Sequence, residues 1–315
     1  MTKTTQAPQT LIEAIRYFGD PDVCLNYMVQ VRWPEGVTCP TCGSDKVSFL
    51  ATRRLWKCKT VHAKQQFSAK VGTIFEDSPI PLDKWLSAMW MIANSKNGVS
   101  SYEMSRSLGV TQKTAWFMLH RIRLAMQSDD NDKMRGGVEV DETYVGGAAR
   151  FMHKARRRRV FGNTHSGPVG KTAVFGLLER HGPDGHSRVR AKVMRGTRTG
   201  DLIPEVRRNV ERGTEIYSDA YRSYILLREE YQHMFIDHAE KYVEGQVHTN
   251  GLENFWSLLK RAIRGTYVAV EPFHLFRYID EQAFRFNNRE TVDGSRFERV
   301  SGGIVGKRLM YKDLI

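Results

Sequence analysis

Three acidic residues sit in three different local settings along this 315-residue chain: Asp141 in GGVEVDETYVGG, Asp219 in TEIYSDAY and Glu253 in VHTNGLENFWSLLKR. The first two fall at or near the ends of strand-like stretches, and the third lies in the first turn of an amphipathic helix. Carboxylates so placed suit a shared site for divalent cations better than they suit solvated charge. Two ions held by three carboxylates activate an attacking water or 3′-hydroxyl and stabilise the leaving oxygen of an in-line phosphoryl displacement. Magnesium, or manganese in its place, matches that donor set, because it takes a few carboxylates and completes its shell with water and phosphate oxygens.

The settings differ in how strongly they point to metal. In VEVDETYV, Val138 and Val140 alternate with Glu139 and Asp141, as along a strand with one apolar face. Asp219 follows the strand-like TEIYS and precedes a helix, the place where α/β sheets set their sites. Taken singly, an aspartate there is more often a turn or cap residue. Leu252, Phe255, Trp256 and Leu259 recur at helical spacing as a buried stripe. Asn250, Glu253, Ser257, Lys260 and Arg264 share a neighbouring polar stripe. Asn250 followed three residues later by Glu253 also matches a capping box, so either residue is open as a cap or as a metal ligand. Lys260, two turns on, is placed to meet a phosphate beside the site.

A second metal site is written in the cysteines. The four, Cys24, Cys39, Cys42 and Cys58, are too few and too clustered for a disulfide scaffold. Cys39-Pro-Thr-Cys42 is a knuckle with Pro40 and Gly43 to turn it, and Cys58-Lys-Thr-Val-His62 offers a second pair. With Cys39, Cys42, Cys58 and His62 all filled, a tetrahedral Zn2+ would be structural, since no position is left for water. Cys24 is expected to be a buried core thiol.

Elements able to position these groups follow in order. Residues 11–33 read as a compact helical leader broken at Gly19–Pro21. In 98–126, Ser100 or Ser101 can cap one helix, Gly109 turns the chain, and Thr111 caps a second with Ala115, Leu119 and Ile122 at helical spacing. That is a helix-turn-helix pattern, with Gln112, Lys113, Thr114 and Arg121 as DNA-contact candidates, and His120 and Arg123 adding basic character. Polar SDDNDKMRGG marks a boundary. Beyond it, strands at 138–145, 171–180 and 189–194 suggest a meander, then come a helix near 199–211, a strand at 214–218 and helices from 220 onward. This is a mixed α/β domain with helices on the sheet.

The formal net charge of +13 favours a polyanionic partner. Between Glu142 and Glu179 there is no acidic residue, while Arg150, Lys154, Arg156, Arg157, Arg158, Arg159 and Lys171 fall there. Such a stretch reads as a phosphate-binding arm between the first two strands. No apolar run reaches membrane-spanning length and no secretory signal is visible, so a cytoplasmic protein with no membrane partner is expected.

Several segments together, RWPEGVTCPTCGS, FSAKVGTIFEDSPIPLDKW, GVTQKTAWFMLHRIR, VEVDETYVGG, IYSDAY, HTNGLENFWSLLKRAIRGTY and FRFNNR, resemble in the same order the bacterial DDE-class insertion-sequence transposases of the zinc-ribbon ISXO-two-like family. The resemblance spans about residues 24–290. It implies an RNase H-like catalytic domain at 134–290 behind a helical leader (1–36), a zinc ribbon (37–76) and a helix-turn-helix domain (77–128), with a C-terminal tail at 291–315. It also implies binding of terminal inverted repeats and target DNA, strand cleavage and strand transfer, and action on the bacterial nucleoid. Asp141 and Asp219 take the first two catalytic positions. The third position varies in the family between Asn and Glu with a following Lys, and Glu253 with Lys260 is favoured over Asn250, because a carboxylate holds magnesium better than an amide. By analogy with the synapsis of two DNA ends, at least a homodimer is expected. Rival readings are a zinc-ribbon DNA-binding regulator with an inactive C-terminal domain, and an RNase H-like nuclease or resolvase.

Overall fold

The computed structural model describes residues 7–128, 132–147, 153–155, 158, 170–219, 222–236 and 248–315. The chain divides into two compact units, Met1–Gln127 with Glu290–Ile315, and Ser128–Arg289.

The first unit begins with α1 (Leu11–Tyr17), closed by a capping box between Thr10 and Glu13, and α2 (Pro21–Arg32), capped by Asp20 with Pro21 in the first turn. A three-stranded antiparallel ribbon follows, β1 (Val47–Leu50), β2 (Leu55–Cys58) and β3 (Gln66–Phe67). Helix α3 (Leu82–Asn94) buries Trp85, Leu86, Met89, Trp90 and Ile92 and forms the unit's spine. Helices α4 (Ser101–Leu108) and α5 (Gln112–Ala125) are capped by Ser100 and Thr111 and joined through Gly109, which sits in the left-handed region at φ +60°.

The last residues are not a loose tail. They form α9 (Asp293–Gly302), whose Phe297 packs within 5.3–5.6 Å of the rings of Phe18, Tyr27 and Trp90. Gly303 then passes so close to α5 that a Cβ there would stand 2.1 Å from the Ala125 carbonyl oxygen. The expected C-terminal tail did not include this helix, because within it only Phe297 and Val300 are buried apolar side chains, too few to mark a helical spacing.

The second unit is a five-stranded sheet in the order β6-β5-β4-β7-β8. Strands β4 (Gly137–Val145), β5 (Thr172–Glu179) and β6 (Arg188–Met194) form the expected antiparallel meander. Helix α6 (Thr199–Asn209) leads to β7 (Glu215–Asp219), which runs parallel to β4 on its other side. Beyond Asp219 the structure differs from the expected helices: a 3-10 turn at Arg222–Glu229 is followed by a fifth strand, β8 (Gln232–Ile236), parallel to β7. Five mixed residues, QHMFI, carry too little periodicity to declare a strand; pairing with β7 decides it.

Helices cover both sheet faces. Val138, Val140, Phe175, Leu177 and Ile216 pack against α6 residues such as Leu202 and Val206. On the opposite face, Val145, Val174, Leu178 and Val189 meet α7 (Asn250–Ala262) and α8 (Leu275–Asn287). The odd-numbered face of β4, polar in sequence, therefore lies beneath α7 rather than in water.

Candidate active site and zinc centre

Asp141 stands on that covered face, with Gly176 of β5 as its cross-strand partner. The missing side chain at Gly176 makes room for an indole: a Cβ there would lie 2.6 Å from Trp256 Cζ2. Trp256, almost wholly buried on α7, donates its Nε1–H to Asp141 Oδ2 at 2.8 Å. Two residues earlier on the same face, Glu139 is buried, pairs with the Arg180 guanidinium at 2.8 Å and accepts the Leu252 backbone N–H at 2.8 Å. Arg180 also donates to the carbonyl oxygen of His248, at 2.5 Å. The start of α7 is thus capped from β4, across the fold.

The setting of Glu253 follows from this cap. Thr249 is the N-cap and its side chain makes no cap bond, so the capping box open to Asn250 and Glu253 does not form. Glu253 is instead one of the residues lining a cleft of about 560 Å³, together with Asp141, Glu142, Lys260, Arg261 and Arg264. Asn250 is exposed in the first turn and is not among the lining residues.

Asp219 ends β7 next to β4, and its charge reaches the site. Burial, and then the negative charges of Asp219 and Glu253, push the Asp141 carboxyl up to about 6, against the opposing Trp256 hydrogen bond. Glu142 is pushed up to about 7 by burial and by Asp141 and Asp219, although the Tyr224 hydroxyl donates to it. Burial, and then Arg264, hold Lys260 below the usual lysine range, while Asp141 pulls the other way. Glu142 was passed over in sequence because strand alternation turns it to the opposite face from Asp141. Its acid type beside Asp141 was the only signal.

Among the described residues, the zinc-type ligands form a cluster whose atoms all lie within 4.8 Å of one another. Two ions set roughly 3.5–4 Å apart spread their ligands more widely than one tetrahedral ion does. Asp141 and Glu142, half-buried and pushed up by burial and by neighbouring acids, fit a site that a dication would neutralise.

Cys39, Cys42, Cys58 and His62 converge as one cluster. Cys42 Sγ lies 3.7 Å from Cys58 Sγ, and Cys39 Sγ lies 3.4 Å from His62 Nε2. Zn–S near 2.3 Å and Zn–N near 2.0–2.1 Å give tetrahedral edges of roughly 3.5–3.8 Å, so the four atoms fit one structural zinc. Cys24 stands apart, buried, with its thiol donating to the Phe18 carbonyl at 3.0 Å and pushed up to about 12, chiefly by burial.

The model of the ISXO2-like transposase domain matches residues 133–287, and that of the transposase zinc-ribbon domain matches 19–60, together more than half of the chain. The chain belongs to the ISXO2-like transposase family. One relative, an uncharacterized protein in transposable element ISH50 of Halobacterium salinarum, is 26% identical over 257 residues, covering 78% of this chain and 84% of that protein. An uncharacterized transposase-like protein of Haemophilus influenzae is 31% identical over 99 residues, 31% of this chain and 80% of that protein. The mixed sheet flanked by helices is consistent with the RNase H-like domain, and the N-terminal ribbon is a zinc ribbon.

For this family member the structure corrects part of the expected DNA-contact set. Arg121 is 4% exposed, donates to the carbonyl oxygens of Glu76 (2.9 Å) and Leu309 (3.1 Å), and packs on the Phe117 ring. It ties α5 to the C-terminal segment and is not a surface residue. His120 and Arg123 are buried as well, which removes the basic face that favoured DNA contact by the body of α5. Gln112 donates to Ser101 Oγ at 2.8 Å and Thr114 bonds the Thr111 hydroxyl at 2.8 Å, both within the helix pair. Lys113 is the exposed member, its ammonium 4.6 Å from the Tyr311 ring centroid. Of the basic arm, Arg158 and Lys154 are exposed, whereas Arg150, Arg156, Arg157 and Arg159 lie outside the described residues. Among the described residues no helix is long and apolar enough to cross a membrane.

Proposed function

We propose that this family member is the transposase of an insertion sequence, binding the element's terminal inverted repeats and catalysing metal-dependent strand cleavage and strand transfer. The supporting observation is that Asp141 from a strand and Glu253 from a helix line one cleft with Lys260, while Asp219 bears electrostatically on Asp141. Asp141, Asp219 and Glu253 would hold two magnesium ions, with manganese as a substitute. When bound, those ions supply Lewis-acid activation of a water or 3′-hydroxyl and stabilise the leaving oxygen.

The chain's own groups do the rest. Trp256 holds one oxygen of Asp141, and Asp141 lines the cleft. Lys260, with Arg261 and Arg264, offers positive charge to the phosphates of the strand being cut. Glu142, held by Tyr224, adds a fourth carboxylate beside Asp141. Double-stranded DNA is gripped through the helix pair at Lys113 and through the basic arm containing Arg156, Arg157, Arg158 and Arg159. The protein works in the cytoplasm on the nucleoid, as a dimer at least, so that two DNA ends are brought together.

The test is magnesium-dependent cleavage and strand transfer on duplexes carrying the sequences that flank the coding frame. Wild type should cut and join; Asp141→Ala should do neither while still binding DNA. Equal cleavage by the two proteins would refute the site. Comparing Asn250→Ala with Glu253→Ala assigns the third ligand, with loss expected only for Glu253.

A further inference from the structure

From Lys46 to Phe75 the chain contains no acidic residue, while Lys46, Arg53, Lys57, Lys59 and Lys64 fall within that stretch. The zinc ribbon sorts these charges by face. Its antiparallel register sets Phe49 opposite Trp56 and Trp56 opposite Phe67, and these rings pack with Trp33 at centroid separations of 5.0–6.1 Å. Strand alternation turns Ser48, Lys57 and Gln66, which pair in one cross-strand row, to the other face. The Lys59 N–H donates to the Lys46 carbonyl at 2.8 Å, which continues the register by one pair and stands Lys46 opposite Lys59 on the Lys57 side. At the hairpin end the same face finishes in Leu50 and Leu55.

Neither packing nor ion pairing explains these lysines. Lys46, Lys57 and Lys59 are all exposed, and among the described residues no carboxylate pairs with them. Arg54 differs, since it is turned to Asp22 at 2.7 Å. Like charges set opposite one another across an antiparallel pair lower stability. The ribbon keeps them nonetheless, and on a firm support: Cys58 of the zinc cluster lies between Lys57 and Lys59 and is buried on the opposite face.

The charge calls for a polyanion, and the side-chain types say how it is held. Residues two apart on a strand stand about 7 Å apart. That is about twice the axial step per phosphate along a DNA strand, so each ammonium can meet a phosphate of its own. Lysines act as point charges that position a nucleic acid without reading it. Arg53 and Gln66 are the planar groups here able to read base edges, and they are bonded to each other at 3.3 Å. Resting on the DNA-acting function proposed above, we propose that the ribbon face bearing Lys46, Lys57 and Lys59 is a sequence-independent docking surface for the phosphate backbone of duplex DNA.

The experiment follows binding of the full-length protein to two duplexes of equal length by fluorescence anisotropy over a series of salt concentrations, with calcium in place of magnesium so that nothing is cut. One duplex carries the sequences that flank the coding frame and the other an unrelated sequence. The triple variant Lys46→Ala, Lys57→Ala, Lys59→Ala should weaken both by the same factor, roughly tenfold, and lower the salt slope by about two to three. Lys57→Ala alone should lower the slope by about one. Arginine at all three positions should restore affinity and slope, since charge alone is required. Unchanged zinc content in each variant shows an intact ribbon. Affinity and slope equal to wild type in the alanine variants overturn the docking surface, and so does a loss confined to the flanking sequences. A loss for an RNA duplex with DNA binding kept overturns it as well. If both duplexes are held through these lysines but wild type never cuts in magnesium, the proposed function falls and the docking surface stands. If wild type binds neither duplex, both fall.

Discussion

Glu139 Oε2 accepts the backbone N–H of Leu252 at 2.8 Å, so a carboxylate on the sheet caps the helix that carries Glu253. The same strand face presents Asp141 two residues later, and Trp256 from one turn further along the helix reaches it. Strand and helix are thus joined by two hydrogen bonds that run in register with the cleft.

Breaking the first bond should cost stability before it costs chemistry. Glu139→Ala strands the half-buried Arg180 and the Leu252 N–H, and should lower unfolding free energy by roughly 3–5 kcal/mol. Glu139→Gln keeps an acceptor and should lose less. Urea unfolding of the metal-free protein reads both, and equal losses would show that Arg180 rather than the helix cap matters.

Trp256→Phe keeps the ring on Gly176 and removes only the donor to Asp141. Because that bond favours the ionised acid, the Asp141 carboxyl should rise further and magnesium bind more weakly at neutral pH. A magnesium titration of cleavage should show about a tenfold higher requirement, with DNA affinity unchanged.

The raised pKa values of Asp141 (about 6) and Glu142 (about 7) set the sign of a pH effect on the metal-free fold. Both exceed their ordinary values, so the folded state binds protons more tightly than the unfolded chain. Stability should fall as pH rises from about 4 to about 7, by up to about 3 kcal/mol per group. Asp141→Asn and Glu142→Gln should each melt a few degrees above wild type at pH 8 and level with it at pH 4. Added magnesium should reverse the order at pH 8.

Zinc should be present near one equivalent and hold the ribbon. Cys42→Ser or a strong chelator should release it and unfold β1–β3, since ligand binding and folding are one process in such sites. Metal analysis alongside circular dichroism reads both; a chelated protein with an unchanged ribbon would refute the centre.

Lys113 and Arg121, both DNA-contact candidates by sequence, should separate. Lys113→Ala should weaken DNA binding and reduce the salt dependence by about one contact. Arg121→Ala should instead lower stability, since it leaves the Glu76 and Leu309 carbonyls without their donor.

The zinc cluster, the helix caps at Ser100 and Thr111, the β4–β5–β6 meander and the family were legible in the chain, because each is written in local spacing or in an ordered set of motifs. Local spacing fixes φ, ψ and ligand reach over a few residues, and that is all these features need. What only the tertiary structure decided are the roles of groups whose partners lie far along the chain. Glu253 is open in the chain as a cap or as a metal ligand, and the cap is excluded only because Glu139 takes the capping from another element. Arg121 looked like a DNA contact until the C-terminal segment closed over it. The strand QHMFI existed only once β7 offered it a ladder. A charge or a short apolar run takes its meaning from what covers it, and covering is a long-range property.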